Sequence, residues 1–389
     1  MPIAADSALP MRALLAGARQ KQPALLDFVR QLVRAESPSG DKAAVDACAA
    51  LAAARASALG GRVKLHPRKE FGDLLEARFG PKSKAGRTLL LGHLDTVWPL
   101  GTLKTMPCKL SEGRLWGPGA LDMKAGVAMA FTAIEMLTEA HLLNREIVLV
   151  LTGDEEIGSP ASRPAIERLA AECAQVFVLE PAQGLAYKTA RKGVGNWRIG
   201  VTGLAAHAGV DFAKGANAIL ELARVIEKVS GWSDLERGLT VSVGVAGGGS
   251  RSNVIPAQAW AEVDVRIARK ADGPRIARKF AALKPQDKRC TLTATGAINR
   301  PLMERTRSTV RLHLQAKALA AELGFPLPEA STGGASDGNF TSPLGIPTLD
   351  GMGAVGEGAH AVNESVAIEH LAPRTALLAG LLARPVPYN

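Results

Sequence analysis

Histidine and carboxylate side chains recur at the ends of apolar runs in this chain. Residues 88–94 (TLLLGHL) contain His93 near their end, and Asp95 follows at once. On an extended backbone, residues two apart point the same way. An imidazole that ligates a metal usually gives its other N–H to a carboxylate or carbonyl. A solvated loop end accounts for the H-x-D pair equally well. Residues 146–152 (EIVLVLT) run into Asp154, Glu155 and Glu156. Three consecutive acids repel one another. Either they are solvated at a helix start, where the dipole favours them, or a cation holds them together. In the second case one carboxylate binds the cation and its neighbour shuttles protons. Residues 175–179 (QVFVL) lead into Glu180, just before Pro181. Asp122 lies in the Gly-rich stretch GPGALDMKAG, where it reads as a helix N-cap or as a further ligand. His360, in GEGAH, has no apolar periodicity around it and by itself reads as a surface histidine.

Together, three strand ends and two Gly-rich loops supply two histidines and several carboxylates. Mixed nitrogen and oxygen donors without thiolates suit zinc, cobalt or manganese in a two-metal site. Such sites hold ions about 3.5–4 Å apart and clamp the attacking and leaving oxygens. Cys48, Cys108, Cys173 and Cys290 are scattered with no C-x-x-C pair. That argues against a thiolate site and against a disulfide framework.

These residues need a frame. Residues 11–60 are rich in Ala and Leu at helical spacing, broken at Ser37, Pro38, Ser39 and Gly40, which predicts two helices joined by a turn. Strands are expected at 74–79, 88–94, 146–152 and 175–179, with a helix at about 123–140. Apolar strands alternating with helices indicate an α/β fold. The pattern changes after about residue 192. Residues 196–202, 239–245 and 259–267 alternate like half-exposed strands, and 216–229 place Ile219, Leu222, Ile226 and Val229 on one helical face. From about residue 301 the earlier style returns: a helix at 308–323, a short strand at 347–349 and a last helix at 369–382. The expected architecture is a three-layer αβα domain with a mostly parallel sheet, built from residues 1–192 and 301–389. It is interrupted by a two-layer α+β domain at 193–300.

At 389 residues the chain exceeds one ordinary core. No apolar run approaches the ~18 residues of a membrane span. The first residues lack a continuous apolar stretch of the secretory type, so the expected location is the cytoplasm. The net charge is +10, but aromatics make up only 4% and no run of five basic residues occurs. Nucleic-acid binding and membrane association are therefore not expected. Residues 193–300 hold 16 Lys and Arg against 9 Asp and Glu. A basic insertion over an acidic site would draw in carboxylate substrates.

The ordered set GHLDTVWP, GPGALDMKAG, TGDEEIGS, LEPA and GEGAH resembles the M20 family of di-zinc metallopeptidases over about residues 20–385. Within it the likeness is to the glutamate carboxypeptidase (carboxypeptidase G2) branch. The resemblance implies two Zn2+ per subunit, with Co2+ or Mn2+ as replacements. Asp122 would bridge the ions, His93 and Glu180 would complete one site, and Glu156 and His360 the other. Glu155 would act as general base and then protonate the leaving amine, and Asp95 would orient His93. The Asp122–Met123 peptide would be cis. The inserted domain would be a lid through which a homodimer forms. His207, in GLAAHAG, would stabilise the oxyanion, a task that needs a donor aimed at developing charge. Asn253 and Arg266, in SRSNVIP and EVDVRIAR, would hold the substrate α-carboxylate, for which the planar Arg fork is suited. Gly334, in TGGASD, would line the substrate, and Lys188 would face an acidic side chain. The implied activity is hydrolysis of the amide bond to a C-terminal amino acid, as in peptides, folate-like compounds or N-acyl amino acid conjugates. The alternative is a deacylase of the acetylornithine, succinyl-diaminopimelate or aminoacylase type. After His360 the chain reads Ala361, Val362, Asn363, Glu364 rather than the more usual Ser-Asp-x-Glu, so the local pocket is expected to differ.

Overall fold

The computed structural model describes residues 10–82 and 86–384. They form two compact units. The first takes in the chain through Ala190, Met303–Thr332 and everything from Ser336 on; the second is Arg191–Leu302 with Gly333–Ala335.

The first unit is built on a six-stranded sheet in the order Arg62–His66, Leu74–Phe79, Ile147–Thr152, Thr88–His93, Gln175–Val178, Thr348–Leu349. Every residue of the three central strands Ile147–Thr152, Thr88–His93 and Gln175–Val178 is buried. A continuous apolar run is what a strand covered on both faces requires. The side chains divide by parity. Leu90, Leu149, Leu151 and Phe177 join one core with the helices Ala125–Glu139 and Leu371–Ala383. Leu89, Leu91, Val148, Val150 and Val176 join another with Ile166 and Leu169 of the helix Arg163–Ala171. This gives the three layers. Each fully buried Leu, Ile or Val contributes about 1.5–3 kcal/mol, so one carboxylate at Leu90 would disrupt the sheet.

The sheet is mostly parallel, as expected, with one reversed strand. Thr88–His93 is parallel to both neighbours and Thr348–Leu349 is parallel to Gln175–Val178, but Leu74–Phe79 runs antiparallel to both of its own. Only residues 67–73 link Arg62–His66 to Leu74–Phe79, too few for the crossover a parallel pair needs. The edge strand RVKLH is half exposed, as an edge tolerates.

The second unit has a four-stranded antiparallel sheet, ordered Thr240–Gly248, Gln258–Ile267, Gly193–Thr202, Thr291–Arg300. One face, with Trp197, Ile199, Val201, Val263 and Val265, packs on Leu222, Val225 and Val229 of the helix Ala218–Ser230 and on Ile276 and Phe280 of Asp272–Ala281. Trp197 stacks on Phe280 with ring centroids 4.6 Å apart. The alternate residues, such as Arg198 and Glu262, are exposed and pair at 2.7 Å. Sequence reading did not anticipate the strand Thr291–Arg300 or the helix Asp272–Ala281. TLTATGAINR is an edge strand with little polar–apolar contrast, and DGPRIARKFA opens on Gly and Pro with only Ile276 and Phe280 as large core residues. The loop Gly333–Ala335 joins this unit, outside the 193–300 insertion, because arginines hold its carbonyls. Arg191 donates to Gly334 and Ala335, and Arg266 to Gly333.

Among the described residues, no helix is long and apolar enough to cross a membrane.

Candidate metal centre

Thr88–His93 lies between Ile147–Thr152 and Gln175–Val178, parallel to both. Their C-terminal ends therefore open at one edge of the sheet, where ligands bind in α/β folds. His93 and Asp95 leave the first strand there, Glu155 and Glu156 follow the second, and Glu180 follows the third. Asp122 comes from a separate element, the irregular turn Ala120–Lys124 that opens the helix Ala125–Glu139. The Asp122–Met123 peptide is cis. Two glycines of that motif are dictated by space. Gly119 has φ 69°, and a Cβ there would stand 2.5 Å from Thr96 Cγ2. A Cβ on Gly126 would stand 2.1 Å from the Leu179 carbonyl, so only glycine lets this helix approach the strand end.

The side chains converge as two triads, His93, Asp122, Glu180 and Asp122, Glu156, His360, with the ligand atoms of each within 4.8 Å of one another. Asp122 turns one oxygen to each imidazole. Its Oδ1 is 3.3 Å from His93 Nε2 and its Oδ2 is 3.3 Å from His360 Nε2. Glu180 Oε1 stands 3.8 Å from His93 Nε2, and Glu156 Oε2 stands 3.1 Å from His360 Nε2. His93 is enclosed, whereas His360 is half exposed on a loop where its own φ is 62°.

The orientation of His93 is more specific than the sequence implied. Its Nδ1 meets the main-chain carbonyl of Asp95 at 2.9 Å, with the Asp95 carboxylate farther away at 3.5 Å. That bond leaves Nε2 for a ligand. The buried Asp95 carboxylate is turned mainly to other donors: Ser39 Oγ at 2.7 Å and the N–H groups of Glu155 and Glu156, both at 3.1 Å.

The electrostatics reflect this crowding. Burial alone would lower the His93 pKa, but Asp122 and Asp95 outweigh it and hold it well above the ordinary histidine value. Asp122, then Glu156, raise His360 to about 10. Burial works to raise Asp122, yet the imidazoles of His360 and His93 hold it below the usual carboxylate range. Glu156 is raised by burial, with the Asp122 charge adding to the effect. Two imidazoles, three carboxylates and no thiolate on one point are a donor set that fits a pair of divalent ions such as zinc, cobalt or manganese.

Glu155, 8% exposed, belongs to neither triad. Lys188 is buried beside the loop at Asp350: its N–H donates to the Asp350 carbonyl at 2.8 Å, and its chain covers Gly351.

In the second unit a two-residue ladder pairs His207 with Val254, next to Asn253, whose carbonyl accepts the Ala208 N–H at 3.0 Å. His207 Nδ1 accepts N–H groups from Gly209 at 3.1 Å and Val210 at 3.2 Å. Arg266 closes its fork on Asp264, with Nε–Oδ1 at 2.9 Å and Nη2–Oδ2 at 2.8 Å. Asp264 thus occupies the Nε–Nη2 edge of the guanidinium. Gly334 offers its carbonyl to the buried Arg191.

Sequence reading missed four contributors. Ser39 holds Asp95, and Arg191 holds the loop of Gly334. Glu364, fully buried, accepts from Trp98 Nε1 and from the N–H groups of Gly119, Leu121 and Asp122. Trp98 is the fourth. The signals for Glu364 were its place four residues beyond His360 and its match to the last residue of the more usual Ser-Asp-x-Glu.

The sequence profile of Peptidase family M20/M25/M40 matches residues 89–384. Carboxypeptidase G2 of Pseudomonas sp. (strain RS-16) is 29% identical over 357 residues, which cover 89% of this chain and 85% of that one. Succinyl-diaminopimelate desuccinylase of Beijerinckia indica is 30% identical over 334 residues, 80% of this chain and 85% of its own. Among solved structures, aminopeptidase PepT of Bacillus cereus superposes with a TM-score of 0.78 at 22% identity, over 93% of this chain and 98% of that one.

Proposed function

The chain belongs to peptidase family M20/M25/M40 and is an amide-bond hydrolase, and we propose that it uses two zinc ions to cleave the bond to a C-terminal amino acid bearing a free α-carboxylate. The observation that carries this reading is Asp122, shared between two ligand triads, with Glu155 on the neighbouring strand end. His93, Asp122 and Glu180 would hold one ion, and Asp122, Glu156 and His360 the other, with cobalt or manganese as replacements. Such ions supply Lewis acidity to a carbonyl oxygen and make a water more acidic. Glu155 then accepts the water's proton and returns it to the departing amine. Asp95 fixes Glu155 through its main-chain N–H. His207 accepts at Nδ1, so its neutral ring carries the proton on Nε2 and can donate to a developing oxyanion. Asn253, Arg266 and Gly334 would meet the substrate's carboxylate end, and Lys188 an acidic side chain.

The desuccinylase relatives support a second reading, removal of an N-acyl group from an amino acid. Both readings release an amine that carries an α-carboxylate; they differ in the acyl side. A homodimer through the second unit is supported by Val210 and Phe212, 77% and 69% exposed close to His207, with Leu220 52% exposed. Four unpaired cysteines support a reducing, cytoplasmic location.

The test is a hydrolysis screen of dipeptides, N-acyl glutamates and N-succinyl amino acids after chelation, with zinc, cobalt or manganese added back. Restored turnover of substrates with a free α-carboxylate is expected. Turnover that survives chelation, or that prefers amidated substrates, would overturn the proposal.

A further inference from the structure

Glu364 lies outside both ligand triads, yet it is fully buried and four N–H groups point at its carboxylate. Oε2 accepts from Trp98 Nε1 at 2.9 Å and Gly119 N at 3.0 Å, and Oε1 from Leu121 N at 2.9 Å and Asp122 N at 3.0 Å. A carboxylate has about four lone-pair sites, so its acceptor capacity is filled and none is left to bind a metal. The donors are informative. Gly119, Leu121 and Asp122 belong to the start of the Ala120–Lys124 turn, where the first N–H groups of a helical segment have no partner within the helix. No side chain of that turn caps it; Glu364 reaches it from more than 240 residues away.

Glu364 also rides on the His360 loop. Ala361 N donates to the Gly358 carbonyl at 2.8 Å and Glu364 N to the Ala361 carbonyl at 2.9 Å. These successive turns carry His360 and Glu364 on one short segment. Trp98 belongs to the loop that follows His93 and Asp95. One carboxylate thus ties together the segments bearing His93, Asp122 and His360.

We propose that Glu364 is a positioning residue that presets Asp122 as the shared ligand of the two metal sites; this rests on reading Asp122 as that ligand. Glu364 acts through the backbone. With the N–H groups of Leu121 and Asp122 fixed on Oε1, the Asp122 carboxylate is held where its two oxygens face His93 and His360. Because Asp122 is common to both sites, a displacement weakens both together. Glutamine at 364 keeps the size but turns an NH2 toward N–H donors on one side, which costs two acceptor contacts.

The experiment is calorimetric titration of zinc into chelator-treated full-length protein, for the wild type, Glu364→Gln, Glu364→Asp, Trp98→Phe and Asp122→Asn. The unfolding temperature is read with and without metal. Glu364→Gln is expected to weaken both zinc sites about 10- to 100-fold, the range for groups that orient metal ligands. Trp98→Phe, which removes one donor of four, should weaken them by a smaller factor, and Glu364→Asp should recover part of the loss. Wild-type zinc affinities in Glu364→Gln would overturn the proposal. So would a metal-free protein that unfolds at lower temperature while its zinc-induced stabilisation is unchanged, the signature of a merely structural role. If Glu364→Gln does not fold, unaltered zinc affinity in Trp98→Phe overturns it instead. Unchanged binding in Asp122→Asn points to a different failure, that of the ligand assignment itself.

Discussion

Glu155 donates its main-chain N–H to Asp95 Oδ1 at 3.1 Å, while the N–H of Glu156 meets Asp95 Oδ2 at the same distance. One buried carboxylate therefore places the proposed base and a proposed ligand at once, and its own main-chain carbonyl orients His93. Asparagine at 95 keeps the shape but can accept on one side only. Asp95→Asn is expected to lower kcat about 100-fold and to weaken metal binding by a smaller factor, because base and ligand both lose their tether. Steady-state kinetics with metal analysis on the same samples checks this. A variant with full metal content and wild-type kcat would show the tether to be dispensable.

Glu155→Gln separates proton transfer from metal binding. Glu155 is in neither triad, so the variant should load metal like the wild type and lose about 100- to 10,000-fold in kcat. Near-wild-type turnover would remove Glu155 from the mechanism.

Because both triads contain Asp122, substitutions should sort by stoichiometry. Asp122→Ala is expected to lose both ions, and His360→Ala only the ion held with Glu156, leaving His93, Asp122 and Glu180 in place. Bound metal per chain after dialysis gives the answer. Equal stoichiometry in the two variants would contradict a bridging Asp122.

Burial and ion pairing at Glu146 make a stability prediction away from the site. Its enclosed carboxylate meets Arg87 at 2.6 Å, Arg62 at 2.7 Å and Arg78 at 3.3 Å, at the start of the Ile147–Thr152 strand. Burial works to raise its pKa, but the arginines, Arg87 foremost, bring it below the ordinary glutamate value. A folded-state pKa below the unfolded one means the stabilisation is present above about pH 4.3 and lost as pH falls through the folded value. Glu146→Gln should be less stable by about 1.5 kcal/mol at neutral pH, the low end for hydrogen bonds to a charged group, because the arginines keep contact with solvent. The difference should shrink below about pH 4. Denaturant unfolding across pH tests it, and a constant difference down to pH 3 would contradict the sign.

What could be read from the chain alone follows from how each residue is held. His93, Glu156 and Glu180 stand at the ends of fully apolar runs, and such runs betray buried parallel strands whose ends must meet. The edge strand Arg62–His66 escaped notice because RVKLH, though alternating, is only five residues long and largely exposed. Asp122 and His360 sit in loops without periodicity, and only the ordered motifs singled them out. Ser39, Trp98 and Glu364 act through partners 56 to 266 residues distant, by hydrogen bonds that leave no local pattern. Asp264 beside Arg266 shows a further limit. Alternation put the two on one strand face but could not show that the Arg fork closes on its neighbour.

That closed fork shapes the last prediction. If Arg266 receives the substrate α-carboxylate on its Nε–Nη2 edge, the substrate competes with Asp264, and part of the intrinsic affinity goes into opening the pair. Arg266→Ala should then raise KM about 10- to 100-fold for substrates with a free α-carboxylate, the loss of a charge-assisted bond of about 1.5–3 kcal/mol. An amidated analogue should be affected much less. Asp264→Asn should act oppositely, lowering KM for the free acid because the fork is released. Kinetics of both variants on the acid and amide pair decide the matter. An equal KM change on acid and amide in Arg266→Ala would remove Arg266 from carboxylate recognition. A rise in KM for Asp264→Asn would mean that Asp264 holds the fork in its productive orientation rather than competing for it.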